Sequence, residues 1–180
     1  MSARQRKAPK SSRASAAASA VPAPTRPGSR ARRASARATR TGPATRRAVT
    51  PARLMAEAEI ARTHAYAPYS RFRVGAALLT AQGQVVHGCN VENASFGLSI
   101  CAERNAMWKA VSEGVREFVA IAVTAEPGHG ASPCGACRQV LHEFAPDLRV
   151  YWSDGRGGIQ KARIEQLLAR PFRLMRGKKK

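Results

Sequence analysis

The stretch CAERNAMWKA, residues 101–110, places a cysteine and a glutamate two positions apart at the start of a predicted helix. Further along the chain, SPCGACRQVL, residues 132–141, opens a second predicted helix with Cys134 and Cys137 in C-x-x-C spacing. Side chains three residues apart share one face of a helix, and the free N–H groups at a helix N-terminus favour thiolates. The second stretch therefore predicts two thiolates that can bind a metal ion together.

A catalytic zinc ion takes three protein ligands and keeps one position for water, so the pair needs a third ligand. Cys101 is the strongest candidate because it also stands at a helix start, and His129 and Cys89 are alternatives. A redox-active C-x-x-C pair is another interpretation, but it assigns no role to Cys101 or Glu103. A carboxylate two residues from a ligand can reach the water without binding the metal, so Glu103 is predicted to be the general base and acid.

The surrounding sequence alternates between helical and extended patterns. Thr50 can cap the first helix and Pro51 suits its first turn. A nearly continuous apolar run after Arg73 is typical of a strand covered on both faces. The pattern predicts one α/β domain with helices on both faces of its sheet. Its predicted helices are residues 51–65, 100–113, 134–144 and 164–168, and its predicted strands are residues 74–80, 85–89, 118–126, 148–154 and 159–162.

The excess positive charge is concentrated in an N-terminal tail, residues 1–50. This tail holds 13 of the 31 Lys and Arg residues, none of the 11 Asp and Glu residues, and no Leu, Ile, Phe, Tyr or Trp. It cannot bury enough apolar surface to offset its ordering entropy, so it is predicted to be disordered. A solvated extension, an organelle-targeting segment and a segment that contacts nucleic acid all remain open interpretations.

The cysteine content and the hydropathy of the chain indicate the kind of cellular compartment in which the protein is expected. Four cysteines in 180 residues, three of them grouped around the motifs above, indicate metal chemistry in a reducing compartment rather than disulfides. No apolar run reaches the 18 residues that a membrane-spanning helix needs, so no membrane association is predicted. A cytoplasmic location is therefore expected, with organelle targeting by the tail as the minor alternative.

The motifs match a known pattern. Cys101-Ala102-Glu103 and Pro133-Cys134-Gly135-Ala136-Cys137 fit the zinc-deaminase signature of ligand-x-Glu followed by Pro-Cys-x-x-Cys. With AYAPYSRFRVGAALLT (65–80) and GCNVENASFGLSICAER (88–104), the chain over residues 51–174 resembles the small homotetrameric cytidine deaminases of pyrimidine nucleoside salvage. The basic segments 1–50 and 175–180 fall outside this resemblance.

The resemblance implies a fold, a cofactor and a reaction. The fold is a three-layer α/β/α cytidine-deaminase-like arrangement with a mixed sheet of about five strands. One Zn²⁺ per subunit would be held by Cys101, Cys134 and Cys137. The enzyme would be a hydrolase acting on a cyclic amidine C–N bond, converting cytidine and deoxycytidine to uridine and deoxyuridine plus ammonia, with Glu103 moving the protons.

The resemblance also implies roles around the metal and the substrate. Arg104 would donate charge-assisted hydrogen bonds to the thiolates and so withdraw charge from them. The implied substrate-binding residues are Asn90 and Glu92 for the ribose 3′-hydroxyl, Phe72 for the pyrimidine face, the Ala102 N–H for the base carbonyl, and Phe172 reaching a neighbouring subunit's site.

Three other functions fit part of the pattern. Deaminases of blasticidin-type aminoacyl-nucleoside antibiotics share the zinc motifs but lack the Asn-x-Glu-Asn stretch found here at residues 90–93. A polynucleotide cytosine deaminase would use the basic tail, although recognition of a ribose 3′-hydroxyl by Glu92 suits a free nucleoside. A non-catalytic, zinc-stapled nucleic-acid module leaves Glu103 without a role.

Overall fold

A computed structural model of the chain describes residues 49–174. The predicted basic segments lie outside the described residues, apart from Val49 and Thr50 at the end of the first. Val49 packs against the apolar cluster beneath the first helix. None of the helices in residues 49–174 has the length and apolar character that crossing a lipid bilayer requires.

The described residues form helices and strands where the sequence predicts them, with ends that differ by a few residues. Thr50 caps the first helix through its side chain, which accepts a hydrogen bond from the Arg53 N–H at 3.2 Å. The helices are α1 (Pro51–Arg62), α2 (Ala102–Ser112), α3 (Gly135–Phe144) and α4 (Ile164–Leu167), and the strands are β1 (Val74–Thr80), β2 (Val85–Cys89), β3 (Phe118–Ala125), β4 (Arg149–Ser153) and β5 (Ile159–Arg163).

Three local differences from the prediction are present, and two of them have visible causes. α1 ends at Arg62 rather than near residue 65, where the Thr63 hydroxyl donates to the Ile60 carbonyl at 2.7 Å. α2 begins at Ala102 because Ile100 is paired with Val91 in an isolated antiparallel bridge. A short 3-10 helix, Phe96–Leu98, lies in the stretch predicted as a loop.

The five strands form one mixed sheet in the order β2-β1-β3-β4-β5. β3 and β4 run parallel, and the other neighbouring pairs are antiparallel. β1 lies inside the sheet and is buried from Gly75 to Thr80, as its apolar run predicts. The predicted mixed α/β sheet of about five strands is confirmed.

The helices cover the two faces of this sheet. Leu54 and Ala58 of α1 pack with Ala77 and Leu79 of β1 on one face. α2 and α3 lie on the other face, where Met107 and Leu141 pack in the larger apolar cluster. The result is the predicted three-layer arrangement, with the first turns of α2 and α3 brought together on one side of the sheet.

Two glycines let the helices lie directly on the β1–β2 hairpin. A Cβ atom on Gly75 would stand 2.1 Å from the Ala58 carbonyl oxygen of α1. A Cβ atom on Gly88 would stand 2.4 Å from both the Ala102 carbonyl oxygen and the Ala106 nitrogen of α2. Because no other residue fits at these distances, Gly88 fixes how closely the start of α2 approaches the sheet.

Candidate metal centre and active site

The first turns of α2 and α3 bring three cysteine sulfurs together. Cys101 is the N-cap of α2, Cys134 is the N-cap of α3, and Cys137 lies in the first turn of α3. Their Sγ atoms all lie within 4.8 Å of one another. Within residues 49–174 this is the one group of at least three His, Cys, Asp or Glu side chains placed to hold a metal ion.

The two alternative ligands considered from sequence are engaged elsewhere. The Cys89 thiol donates to the His64 carbonyl at 3.3 Å. The His129 ring packs edge-on against Phe72, with ring centroids 5.5 Å apart. Cys101 is therefore the side chain that the fold places beside the C-x-x-C pair.

The sulfur set fits zinc. Zinc–thiolate bonds of about 2.3 Å in a tetrahedron separate the sulfurs by about 3.8 Å, a distance compatible with the spacing of these three. Neither N-cap cysteine uses its side chain to cap its own helix. Three soft donors with no fourth protein ligand among the described residues match a catalytic rather than a structural zinc site.

The three cysteines and Arg104 interact directly with one another. A hydrogen bond from the Cys137 thiol, assisted by Arg104, lowers the pKa of Cys101 to about 5. The same hydrogen bond and burial raise the pKa of Cys137. The site therefore favours a thiolate at Cys101 at neutral pH.

Arg104 lies between the sulfurs and an aromatic ring. Its Nη2 donates to the Cys101 Sγ at 3.5 Å, and its guanidinium carbon lies 5.8 Å from the centre of the Trp108 ring. Its Nε is buried and has no hydrogen-bond partner among the described residues. The hydrogen bond to Cys101 raises the pKa of Arg104, so its guanidinium group stays protonated beside the sulfurs.

Glu103 is buried in the first turn of α2, with 5% of its surface exposed. Burial raises the pKa of its carboxyl group to about 7, and the nearby Cys101 thiolate acts in the same direction. Its own backbone N–H and the Cys137 thiol partly oppose the shift. A carboxyl group removed from bulk water beside the sulfur cluster is placed to exchange protons with groups in the cavity.

A cavity of about 260 Å³ opens from this centre to the surface. It contains seven of the residues singled out from sequence and several that were not. The former are Phe72, Asn90, Glu92, Cys101, Ala102, Glu103 and Cys134, and the latter are Val74, Ser99, Ile100, Val123, Gly130, Ala131 and Ser132. One wall thus comes from the β1 and β2 ends and the other from the loop before α3.

The Asn90 side chain forms hydrogen bonds with the backbone of Phe72 and Val74. Its side-chain oxygen accepts from the Val74 N–H at 2.8 Å, and its side-chain nitrogen donates to the Phe72 carbonyl at 2.8 Å. An amide oxygen accepts two hydrogen bonds and an amide nitrogen donates two, so one of each remains available. Asn90 therefore stabilises the local backbone and still has hydrogen-bonding groups available at the cavity wall.

Glu92 is held in place by donors that sequence reasoning did not identify. Its carboxylate accepts from the Tyr69 N–H at 2.9 Å, from the Ser70 N–H at 3.2 Å and from the Ser70 hydroxyl. These hydrogen bonds, the Ser70 hydroxyl first, lower the pKa of Glu92. The rim of the cavity therefore carries a fixed negative charge with acceptor capacity to spare.

Phe172 does not line the cavity of its own chain. The residue is 71% exposed, and its backbone N–H and carbonyl pair with the Gln139 amide of α3 at 2.9 and 3.0 Å. Gln139 thereby fixes the chain around Phe172 and leaves the ring in solvent. No sequence spacing pointed to this contact, which joins positions 33 residues apart.

Comparison with known proteins extends these observations. Residues 49–153 match the family described as the cytidine and deoxycytidylate deaminase zinc-binding region. A cytidine deaminase of Halalkalibacterium halodurans is 53% identical over 120 residues, which is 66% of this chain and 91% of the relative. A Blasticidin-S deaminase of Bacillus cereus is 31% identical over 107 residues, covering 55% of this chain and 76% of the relative.

Solved structures agree with the sequence comparison. The crystal structure of cytidine deaminase from Burkholderia pseudomallei superposes with a TM-score of 0.66 and 49% sequence identity, covering 68% of this chain and 99% of that one. Its counterpart from Mycobacterium tuberculosis superposes with a TM-score of 0.60 and 42% identity, covering 67% of this chain and 95% of that one. The chain belongs to the cytidine and deoxycytidylate deaminase zinc-binding family.

Proposed function

We propose that this chain is a zinc-dependent cytidine deaminase, which hydrolyses cytidine and deoxycytidine to uridine and deoxyuridine with release of ammonia. The observation that carries the proposal is the buried Glu103 beside the Cys101–Cys134–Cys137 cluster, in a cavity that also contains Asn90 and Glu92. The reaction assigns the chain to pyrimidine salvage, and the four free cysteines support a reducing compartment such as the cytoplasm.

The metal would be held by the three cysteines, one ion per subunit. A zinc ion held there would supply an activated water as the nucleophile at neutral pH. Arg104 offsets the negative charge of three thiolates through its hydrogen bond to Cys101. Trp108 stacks against the guanidinium of Arg104 and helps keep it there.

Glu103 is the residue that moves protons. Its buried carboxylate takes a proton from the attacking water and delivers it to N3 of the cytosine ring while the C4–O bond forms. It then takes the proton of the new C4 hydroxyl and passes it to the amino nitrogen, so that the C4–N bond breaks, ammonia leaves and the C4 carbonyl of uridine forms. The backbone N–H of Ala102 belongs to the first turn of α2 and has no partner within the helix, so it can donate to the base carbonyl at C2. α2 thus supplies both the proton carrier and an orienting hydrogen bond.

The rim of the cavity selects a free nucleoside. Phe72 packs on the pyrimidine, while Asn90 and Glu92 bind the ribose 3′-hydroxyl with the hydrogen-bonding capacity they retain. A 3′-phosphodiester would bring a second negative charge against the Glu92 carboxylate, which disfavours a polynucleotide substrate. The placement of Asn90 and Glu92 on the cavity wall also favours a nucleoside over a blasticidin-type substrate.

A homotetramer would complete the site. Phe96 and Leu98 are 72% and 73% exposed, and Phe96 stacks edge-on against the half-exposed Tyr69 beside Glu92. Exposed apolar groups of this size on a small domain favour burial between subunits. In the tetramer, Phe172 of one subunit would close the cavity of another. Sedimentation analysis of the purified chain tests the tetramer.

The deciding experiment measures ammonia and uridine formation from cytidine by the purified, zinc-loaded chain. Glu103→Gln should retain zinc and lose at least about a thousandfold in kcat, because the proton carrier is gone. Glu117→Gln, at an exposed carboxylate outside the cavity, is the matched control and should keep full activity. If Glu103→Gln stays active, or single-stranded DNA is turned over in preference to cytidine, the proposal fails.

A further inference from the structure

One end of the sheet carries an uncovered group of positive charges. Arg149 of β4 stands directly opposite Arg163 of β5, and Tyr151 stands opposite Lys161. Residues two apart in a strand point to the same side, so these four side chains share one surface, the β4–β5 face. Tyr151 packs against the apolar cluster of α1, which identifies this as the α1 side of the sheet.

α1 packs mainly on β1, β2 and β3 and leaves the cations of this face exposed. Arg149, Tyr151, Lys161 and Arg163 line a concavity of about 350 Å³ together with Ala162 and Gln166. No carboxylate contributes to that lining, and Glu165 of α4 is not part of it. The charged side chains that line the β4–β5 face are therefore all cationic.

The arrangement is unfavourable to the fold by itself. Like charges directly across a strand pair destabilise a sheet, and Arg149 faces Arg163 in this way. Within residues 49–174 none of the three cations forms an ion pair: the four salt bridges there all use other residues. Lys161 lies about 7 Å along β5 from Arg163, so three positive charges share a small area. An anionic ligand would relieve this repulsion.

We propose that the β4–β5 face binds the phosphate backbone of duplex DNA. A second copy of the chain is a poor occupant, because a symmetric contact would set the same cations against one another. Single strands are usually held by exposed aromatic platforms, whereas the one aromatic side chain in this hollow, Tyr151, is half-buried against the core. Contacts limited to phosphates suit a duplex, whose bases are stacked inside.

The sequence gives a reason to expect a polyanion, rather than a single phosphate, as the ligand of this face. Residues 1–48 carry 13 more Lys and Arg residues and no acidic residue, on the same chain. A polymer with many phosphates is the kind of ligand that such a segment and a folded cationic face can both bind. The β4–β5 face shares no residue with the cavity that contains Glu103, so this binding is independent of deamination.

The test compares two variants of the full chain with equal loss of charge. Arg149→Gln/Arg163→Gln removes the opposed pair, and Lys109→Gln/Arg156→Gln removes two exposed cations elsewhere. Binding to a labelled DNA duplex of about 30 base pairs is followed by fluorescence anisotropy between about 50 and 200 mM salt. The first variant should bind roughly tenfold more weakly and lower the salt slope by about 1.8, while the second should match the wild-type chain.

Cytidine turnover and circular dichroism of both variants establish that they are folded. Lys161→Gln is a milder variant of the same face and should lower the salt slope by about 0.9. Equal weakening in the face variant and its control would show that only total charge matters, and would overturn the proposal. Absence of duplex binding by the full chain would overturn it as well.

Discussion

The centre and the rim of the cavity are built by different means. At the centre, Cys101, Glu103 and Cys134 sit in the first turns of two helices, and α2 rests directly on the sheet. At the rim, Glu92 is held by hydrogen bonds from residues 69 and 70 of an exposed loop. Phe172, which lies outside the cavity of its own chain, is held through its backbone by the Gln139 amide. The centre is thus fixed by the packing of helices on the sheet, whereas the rim depends on hydrogen bonds between loops.

The sharpest test of the centre removes one sulfur. Cys137→Ser should lose the metal and more than about 100-fold of the deaminase activity, because a neutral hydroxyl is a far poorer zinc ligand than a thiolate. Cys89→Ser is the matched control, since this cysteine only donates to the His64 carbonyl. Zinc content by atomic emission and the rate of uridine formation measure both. A metal-loaded Cys137→Ser chain would contradict the assigned ligands.

The dependence of the centre on helix packing is tested at Gly88. In Gly88→Ala the new methyl group would meet the Ala102 carbonyl at 2.4 Å, so α2 must shift. We expect a loss of about 2–3 kcal/mol in the free energy of unfolding, together with weaker zinc retention. Thermal and urea unfolding measure the first quantity. Unchanged unfolding and unchanged zinc retention in Gly88→Ala would contradict the dependence of the centre on helix packing.

Charge balance at the centre is tested at Arg104. Arg104→Gln removes the charge that Cys101 faces at 3.5 Å and should speed zinc release about tenfold, while the fold stays intact. The rate of zinc transfer to a chromogenic chelator reports this directly. Lys109→Gln, an exposed cation on the same helix, is the control. Equal release rates in the two variants would leave Arg104 without a role at the metal.

A substitution at the rim of the cavity should change KM, whereas substitutions at the metal centre change zinc content and kcat. Glu92→Gln keeps the shape of the side chain but removes the negative charge that the Ser70 hydroxyl and two backbone N–H groups hold in place. We expect KM for cytidine to rise about fivefold with little change in kcat, since the ribose is bound in both the ground and transition states. A variant in which kcat falls and KM is unchanged would place Glu92 in the chemistry instead.

Local sequence signals predicted most of the fold. Thr50 and Pro51 set the start of α1, and the apolar run of β1 indicated a strand covered on both sides. The C-x-x-C spacing and Cys101 predicted the sulfur cluster, because helix N-terminal geometry is local and the strand order then brings the two helix starts together.

Long-range contacts were not predictable in the same way. The Ser70–Glu92 and Gln139–Phe172 hydrogen bonds join positions 22 and 33 residues apart, and nothing in the intervening sequence encodes them. The contributions of Ala131 and Ser132 to the cavity depend on the path of an irregular loop, which has no periodic pattern to read. The like-charge pair on the β4–β5 face became visible only when strand register placed Arg149 opposite Arg163.

Gly75 and Gly88 have a consequence for how this enzyme can diverge. Gly75 of β1 contacts α1 on one face of the sheet, and Gly88 of β2 contacts α2 on the other face. At that end of the hairpin, both helices therefore lie directly on backbone that carries no side chain. Neither glycine lines the cavity, yet a single methyl group at Gly88 would displace the helix that holds Cys101 and Glu103. Substitution at Gly88 is therefore constrained by the metal centre, even though this residue lies outside the cavity and contacts none of its contents.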